Sequence, residues 1–523
     1  MAALRIPRVT RTEQAPPRLS LALGILLPLG VVIALSGLAL RLSLLPLLVL
    51  AAVPALWLLH RPALLVLAYG FVALLSGWFV ALGQAGVLHS PPYVTSGWAW
   101  AALLCGVALL YRPSSVLPRR VTAALLIYAA ALTYSTVLAG FRSGSASTVI
   151  TGAKTLLDLL SVFAIVALLR RTRSPSTGLW VVLGLLTFEL AFSAVQYTRL
   201  PAQGAGWFTL APDQIWWAPR AVYGTLMTLG KNGFGNVLAL CAPVPFAYAV
   251  YGHRTRLQLF CAALVAGTLT FAVLSLAREA LVAQVLAGAV VALPRFRTAH
   301  ALALAAGLLA VAMLPTSGAL FGKLSVSGSD DADLHDRLVT WEAVLAEIGQ
   351  SSYLHLFGIG FGAGPALTQS LNIQFASHAD PATVHSVDSP TTVYPLTSTT
   401  ENLYLRWLAE GGLPGLAALL LLYGLLFGES FAPSQTPRQR FWRLVLRGVV
   451  VAVMAESLVM DTLMYEQIAM TFWLLVGVCI AGLGSWPGDV RRAAVQSPVR
   501  SLVAPARRLL PAPRLGAERA AQG

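Results

Sequence analysis

The run Thr399-Thr400-Glu401-Asn402-Leu403-Tyr404-Leu405-Arg406-Trp407-Leu408-Ala409-Glu410-Gly411-Gly412-Leu413-Pro414-Gly415 closes a long polar stretch and opens an apolar one. It sets two carboxylates, an amide and a guanidinium where a wet surface meets a hydrophobic span. A charge at that depth costs about 2.5–3.5 kcal/mol on insertion scales, so its presence usually marks function.

Outward from this run the chain is almost continuously apolar. Of its 523 residues 57% are hydrophobic and 11% charged, against about 25% charged in soluble domains. Runs long enough to cross a hydrocarbon layer about 30 Å thick fall at 20–39, 43–59, 63–82, 94–111, 121–140, 149–169, 179–198, 223–250, 257–276, 279–293, 299–316, 402–427, 444–462 and 467–484. The fold expected is an all-α polytopic membrane protein with about twelve to fourteen transmembrane helices and one large external loop carrying short helices. The run at 279–293 is short, and 149–169 carries Lys154 and Asp158 four residues apart, where opposite charges on one helix face offset each other. The organisation that follows is a basic N-terminal tail (1–19), a membrane domain of about eleven spans (20–316), a large external loop (317–400), three further spans (401–484) and a basic, disordered tail (485–523).

The net charge of +15 points to a membrane surface rather than to nucleic acid because of where it lies. Arginines gather in alternate gaps: Arg112, Arg119 and Arg120; Arg170, Arg171 and Arg173; Arg254 and Arg256; Arg295 and Arg297; Arg438, Arg440 and Arg443. The other gaps are nearly free of them. This positive-inside pattern puts both termini in the cytoplasm, with the basic tail facing anionic lipid. The first apolar run exceeds a signal-peptide core and reads as an uncleaved span. Cys105, Cys241, Cys261 and Cys479 all fall in apolar runs and read as packing residues.

In the external loop, Leu338, Trp341, Val344, Leu345 and Ile348 recur at helical spacing, predicting an amphipathic helix over 334–348 that ends at a flexible Gly358-Ile-Gly-Phe-Gly362 turn. That turn is no nucleotide fingerprint, since no strand precedes it. The acids at 330–333 read as a solvated loop, and the loop histidines lack metal-ligand spacing, so no metal and no cofactor are expected. Polar groups collect at outer span ends: Arg220, then Lys231 and Asn232 among glycines; Arg278 and Glu279 in a tight external turn; Arg337 and Trp341 in the loop helix; Glu401, Asn402 and Arg406 beyond it. Each arginine alone could simply anchor a helix end at the interface. Converging external arginines, however, suit a diphosphate, which guanidinium binds in bidentate fashion. Glu401 and Arg406 lie five apart, about 140° around a helix, and need not pair with each other. The span midplanes read as apolar apart from Lys154, Asp158 and Glu189.

Three blocks resemble the O-antigen ligase and polymerase family, bacterial membrane proteins that handle glycan on undecaprenyl diphosphate. They are Arg220 to Gly235, Ser275 to Arg278, and Arg337-Leu-Val-Thr-Trp341 followed by Gly358-Ile-Gly-Phe-Gly362, Glu401-Asn402 and Gly412-Leu-Pro-Gly415. The resemblance covers roughly 180–480. In the ligase branch a His stands where this chain has Glu401, which turns the expectation toward polymerase-type or exopolysaccharide chemistry. What the resemblance implies is a metal-independent glycosyltransferase that moves glycan from undecaprenyl diphosphate to an acceptor glycan or lipid. Arg220 and Arg278 would clamp the diphosphate, Glu401 would act as general base, and Asn402, Arg406, Arg337, Trp341, Asn232 and Lys231 would bind substrate. The alternatives are an O-antigen ligase, a protein O-oligosaccharyltransferase, a polysaccharide or lipid transporter, or a non-catalytic component working with other polysaccharide-assembly proteins.

Overall fold

A computed structural model describes residues 62–84, 97–110, 117–143, 146–172, 176–199, 222, 224–225, 230–275, 277–295, 329–362 and 401–484. The expected spans at 20–39, 43–59 and 299–316, the two terminal tails and most of the external loop lie outside these residues. The chain is an all-α polytopic membrane protein. Among the described residues seven helices are long and apolar enough to cross a membrane, and three shorter apolar helices accompany them.

In chain order the helices are α1 (Pro62–Gln84), α2 (Gly97–Leu110), α3 (Arg119–Ser143), α4 (Ala146–Arg171), α5 (Thr177–Arg199), α6 (Gly230–Cys241), α7 (Pro243–Tyr251), α8 (Thr255–Leu274), α9 (Arg278–Ala292), α10 (Ser329–Gln350), α11 (Ser352–Phe357), α12 (Leu403–Glu429), α13 (Pro437–Glu456) and α14 (Glu466–Leu483). Every expected span inside the described residues is helical, with shifted ends. The run at 223–250 is helical from Gly230 to Tyr251; Pro243 and Pro245 remove two backbone donors after Ala242, which itself stays helical in φ and ψ, so one span comprises two segments. The loop helix is longer than its apolar stripe, because the polar segment from Ser329 continues it. Arg278 opens α9, with Ala277 as its N-cap, rather than lying in the turn before it.

Spanning helices alternate in direction, which sorts their ends. At one end the backbone N–H of Trp98 on α2 donates to Glu466 of α14 (3.1 Å), that of Leu403 on α12 to the Ser457 carbonyl after α13 (2.9 Å), and Arg142 of α3 to the Gly358 carbonyl (3.1 Å). At the other, Arg120 of α3 donates to Gly428 of α12 (3.0 Å) and Arg438 of α13 to Gly484 beyond α14 (2.7 Å). Between the ends the core is aromatic, with the Tyr128 ring 5.1 Å from that of Trp407 and 6.1 Å from that of Trp473.

Lipid tails are as apolar as leucine, so small residues that admit close backbone approach help such helices associate. One seam shows it. Ala239, Ala277, Ala280 and Ala283 form a buried cluster between α6 and α9, and a methyl on Gly235 would sit 2.5 Å from the Ala277 Cβ. The start of α6 is therefore fixed against the Ser275–Arg278 turn.

Candidate functional site

The site begins with a broken helix. Gly412 (φ 63°, ψ −164°) interrupts α12 near its N-terminal end, and Pro414 follows. Proline has no N–H to offer the carbonyl four residues earlier, here that of Glu410. At membrane depth such a carbonyl needs a protein partner. Gly360 N–H (2.8 Å) and the Ser135 hydroxyl (2.9 Å) both donate to it, while Ile359 N–H donates to the Ala409 carbonyl (2.8 Å). The Gly358–Gly362 segment thus completes the broken helix. It is a fitted part rather than the flexible turn expected, and two glycines explain why. A Cβ on Gly358 (φ 72°) would lie 2.5 Å from the Glu410 carbonyl oxygen, and one on Gly412 would lie 2.5 Å from that of Leu356.

The break also brings charge together. Glu410 is fully buried; its Oε1 meets Arg406 Nε at 3.0 Å and its Oε2 accepts the Gly362 N–H at 2.9 Å. Arg406 Nη1 reaches Asp461 Oδ2, also at 3.0 Å. Asp461 Oδ1 accepts the Asn402 N–H (3.1 Å), and the Asn402 side chain caps α12 by accepting the Leu405 N–H (3.0 Å). One guanidinium is bracketed by two carboxylates that are themselves tied to backbone.

Glu401 pairs with Arg337, Nε to Oε2 at 2.7 Å, and Arg337 Nη1 also donates to the Val459 carbonyl at 2.9 Å. As anticipated, Glu401 and Arg406 take separate partners. Glu401 is the one non-glycine residue among those described with positive φ, at 46°. Trp341 packs with Val344, Ile348, Leu405 and Ala409, which seats α10 on the start of α12.

The first two blocks reach the same end by another route. Asn236 of α6, its amide oriented by its neighbours, donates to both carboxylate oxygens of Glu456 at the end of α13 (3.0 and 2.9 Å). Through Gly235, α6 also abuts the turn leading to Arg278. Val222 N–H donates to the Leu274 carbonyl (3.1 Å), while Glu189 accepts from Thr225 N–H (2.8 Å) and hydroxyl (2.7 Å). The last residue of α8 and Glu189 of α5 are joined in this way to the segment after Arg220.

Of the residues expected from sequence, Glu401, Asn402, Arg406, Arg337 and Trp341 form one connected cluster, and Asn232 lies partly buried in the first turn of α6. Arg220 lies outside the described residues, as do the side chains of Lys231 and Arg278. Sequence reasoning passed over Glu456 and Asp461. Both are acids in or beside the apolar run 444–462, which is the signal that finds them. Lys154 lies within electrostatic reach of Asp158 but makes no direct ion pair with it: Lys154 is exposed with its ammonium 5.4 Å from the Trp98 ring centroid, and Asp158 is buried with Oδ1 lacking a hydrogen-bond partner. Among the described residues no group of three His, Cys, Asp or Glu side chains is placed to hold a metal ion.

No family model matches this chain, and no curated protein does.

Proposed function

We propose that this chain is an integral inner-membrane glycosyltransferase of polymerase type, with both termini cytoplasmic, working on the external face on glycan linked to undecaprenyl diphosphate. The observation that supports it is convergence. Three sequence blocks separated by up to two hundred residues meet at one bundle end, joined through the segment 456–461. Charged and amide side chains that would be costly in lipid are held there by named partners.

In this reading an acceptor sugar hydroxyl attacks the anomeric carbon of the donor. The bond from that carbon to the diphosphate oxygen breaks, the lipid diphosphate leaves with the electron pair, and Glu401 takes the hydroxyl proton. Arg337 aims the Glu401 carboxylate, while Asp461 and Glu410 fix Arg406 so that it orients rather than wanders. Arg220 and Arg278 are assigned to the diphosphate from the sequence; fixed cations there offset charge that develops on the leaving group, commonly the largest catalytic contribution.

Glu401→Gln keeps shape and loses proton affinity. Purified, reconstituted protein carrying it should transfer lipid-linked glycan on the order of 10² to 10⁴ times more slowly, the usual contribution of a general base. Undiminished transfer would remove Glu401 from that role. Glycan from a deletion strain separates the neighbouring readings: single repeat units on lipid mean lost polymerisation, and unattached long chains mean lost ligation. The transporter reading draws on the buried carboxylates Asp158, Glu189 and Glu456, since intramembrane acids often line ion or substrate paths. Substrate flux into sealed proteoliposomes, with no new glycosidic bond, would favour it.

A further inference from the structure

The bundle end opposite the candidate site gathers mostly positive charge. Eight of its arginines fall into two sets. Arg120, Arg170, Arg438 and Arg443 donate to carbonyls at helix ends, those of Gly428, Ile480, Gly482 and Ala432, and Arg443 also pairs with Glu429 at 3.5 Å. Capping of final carbonyls by cations accounts for that set. Arg254, Arg256, Arg295 and Arg440 are different: all four are exposed, and among the described residues none has a carboxylate partner.

The fold brings these four to one corner. Arg254 and Arg256 stand at the start of α8, Arg295 just past α9, and Arg440 in the first turn of α13. Tyr251, the last residue of α7, is the hub. Arg295 Cζ lies 5.9 Å from its ring centroid, and Arg295, Arg440 and Arg447 are all within electrostatic reach of its phenol. The Tyr251 hydroxyl donates to the Val291 carbonyl at 3.0 Å, tying α7 to α9. Arg447 sits deeper, its Cζ 3.7 Å over the Phe431 ring and its Nη2 3.1 Å from the Ser430 carbonyl. Arg254 provides no side-chain cap for α8, so that 20-residue helix presents its N-terminus at the same place. Next to the hub, the Tyr248 and Phe441 rings meet edge to face at 6.1 Å and form an apolar wall.

Guanidiniums repel one another, and a group of them with no acid partner among the described residues is suited to an external anion. We propose that this corner binds a phosphate-bearing anion, namely the phosphodiester headgroup of an anionic phospholipid. The donors are planar and suited to bidentate phosphate contact. The corner lies where four helices end or begin, beside apolar rings able to line an acyl chain, and basic pockets between transmembrane helices are known lipid headgroup sites. An uncapped helix start adds backbone N–H groups of the right polarity. A free phosphate would meet the same donors but gain nothing from the wall.

The test uses the full chain, reconstituted with phosphatidylcholine and phosphatidylglycerol, then released for native mass spectrometry. Wild type should retain phosphatidylglycerol in preference. The Arg295→Ala/Arg440→Ala variant should weaken retention on the order of tenfold to thirtyfold, from about 1 kcal/mol per basic residue near an anionic surface. Arg119→Ala, an exposed arginine at the same end but on α3, should leave it unchanged. Should the double variant fail to fold, Arg440→Glu reverses one exposed charge and should weaken retention at least as much as losing one arginine. Equal loss in Arg119→Ala would mean diffuse attraction and overturn the site, as would full retention in the corner variants. Inorganic pyrophosphate that displaces the lipid or binds tightly without it would assign the corner to a soluble anion and overturn the lipid. None of these readouts depends on glycan transfer.

Discussion

Glu401 carries two burdens. Its backbone is left-handed, a conformation that costs a non-glycine residue of order 1–3 kcal/mol and that collects at working sites, and its side chain is an acid held by Arg337. Beside it, Asp461 is fully buried and faces both Arg406 and the Asn402 N–H. Removing one member of a buried pair leaves a charge stranded, at a cost of about 3–5 kcal/mol. Asp461→Ala should therefore lower stability by roughly that much in thermal unfolding of the purified protein. Arg406→Met/Glu410→Gln/Asp461→Leu, which leaves no buried charge of the triad unpaired, should recover part of the loss, and transfer should stay impaired if Arg406 orients substrate. The polar residues of 401–406 and the arginine of the loop helix were legible as residues, because charge beside an apolar run is conspicuous. Their partners were not. Pairing Glu401 with Arg337 spans more than sixty residues, and nothing in the spacing between them sets that distance.

At the scale of elements, the periodicities located the described helices well and their breaks poorly. Hydrophobic length predicts that a segment crosses a membrane; it says little about where a proline and a glycine divide it. α12 is the instructive case. Gly412-Leu-Pro-Gly415 and Gly358-Ile-Gly-Phe-Gly362 stood out as separate blocks, yet they are two halves of one backbone contact. Gly358→Ala and Gly412→Ala should each destabilise strongly, since a methyl at either position meets backbone at 2.5 Å and the left-handed φ adds about 1 kcal/mol or more. Gly349→Ala, in the exposed face of α10 with nothing within 4 Å of the added carbon, should stabilise slightly. Melting temperatures of the three variants would check the ordering. Equal behaviour would mean that the Gly358–Gly412 contact does not form.

For the whole molecule, the sorting of helix ends makes one side acidic and amide-rich and the other arginine-rich. Ser352 and Ser434 are exposed at opposite ends. With the native cysteines buried or partly so, Ser352→Cys should react with a membrane-impermeant maleimide on intact spheroplasts, and Ser434→Cys only after permeabilisation. The reverse pattern would invert the orientation and place the candidate chemistry in the cytosol. This asymmetry was readable from the alternating arginines alone, because the rule concerns composition of gaps and needs no contact. The convergence of α6, α9, α12 and α13 was not, since it depends on packing across the bundle.

The fastening of Gly362 to Glu410 and of Glu401 to Arg337 has a practical corollary. Both edges of the stretch 363–400 are anchored on one rigid frame, so extra residues inserted there enlarge a ring that is already closed. Doubling such a ring costs only about 0.6 kcal/mol of chain entropy. An epitope tag placed within 363–400 should leave the melting temperature nearly unchanged, which offers a handle for purification and for antibody-fragment complexes. The same tag between Gly411 and Gly412 should abolish expression of folded protein.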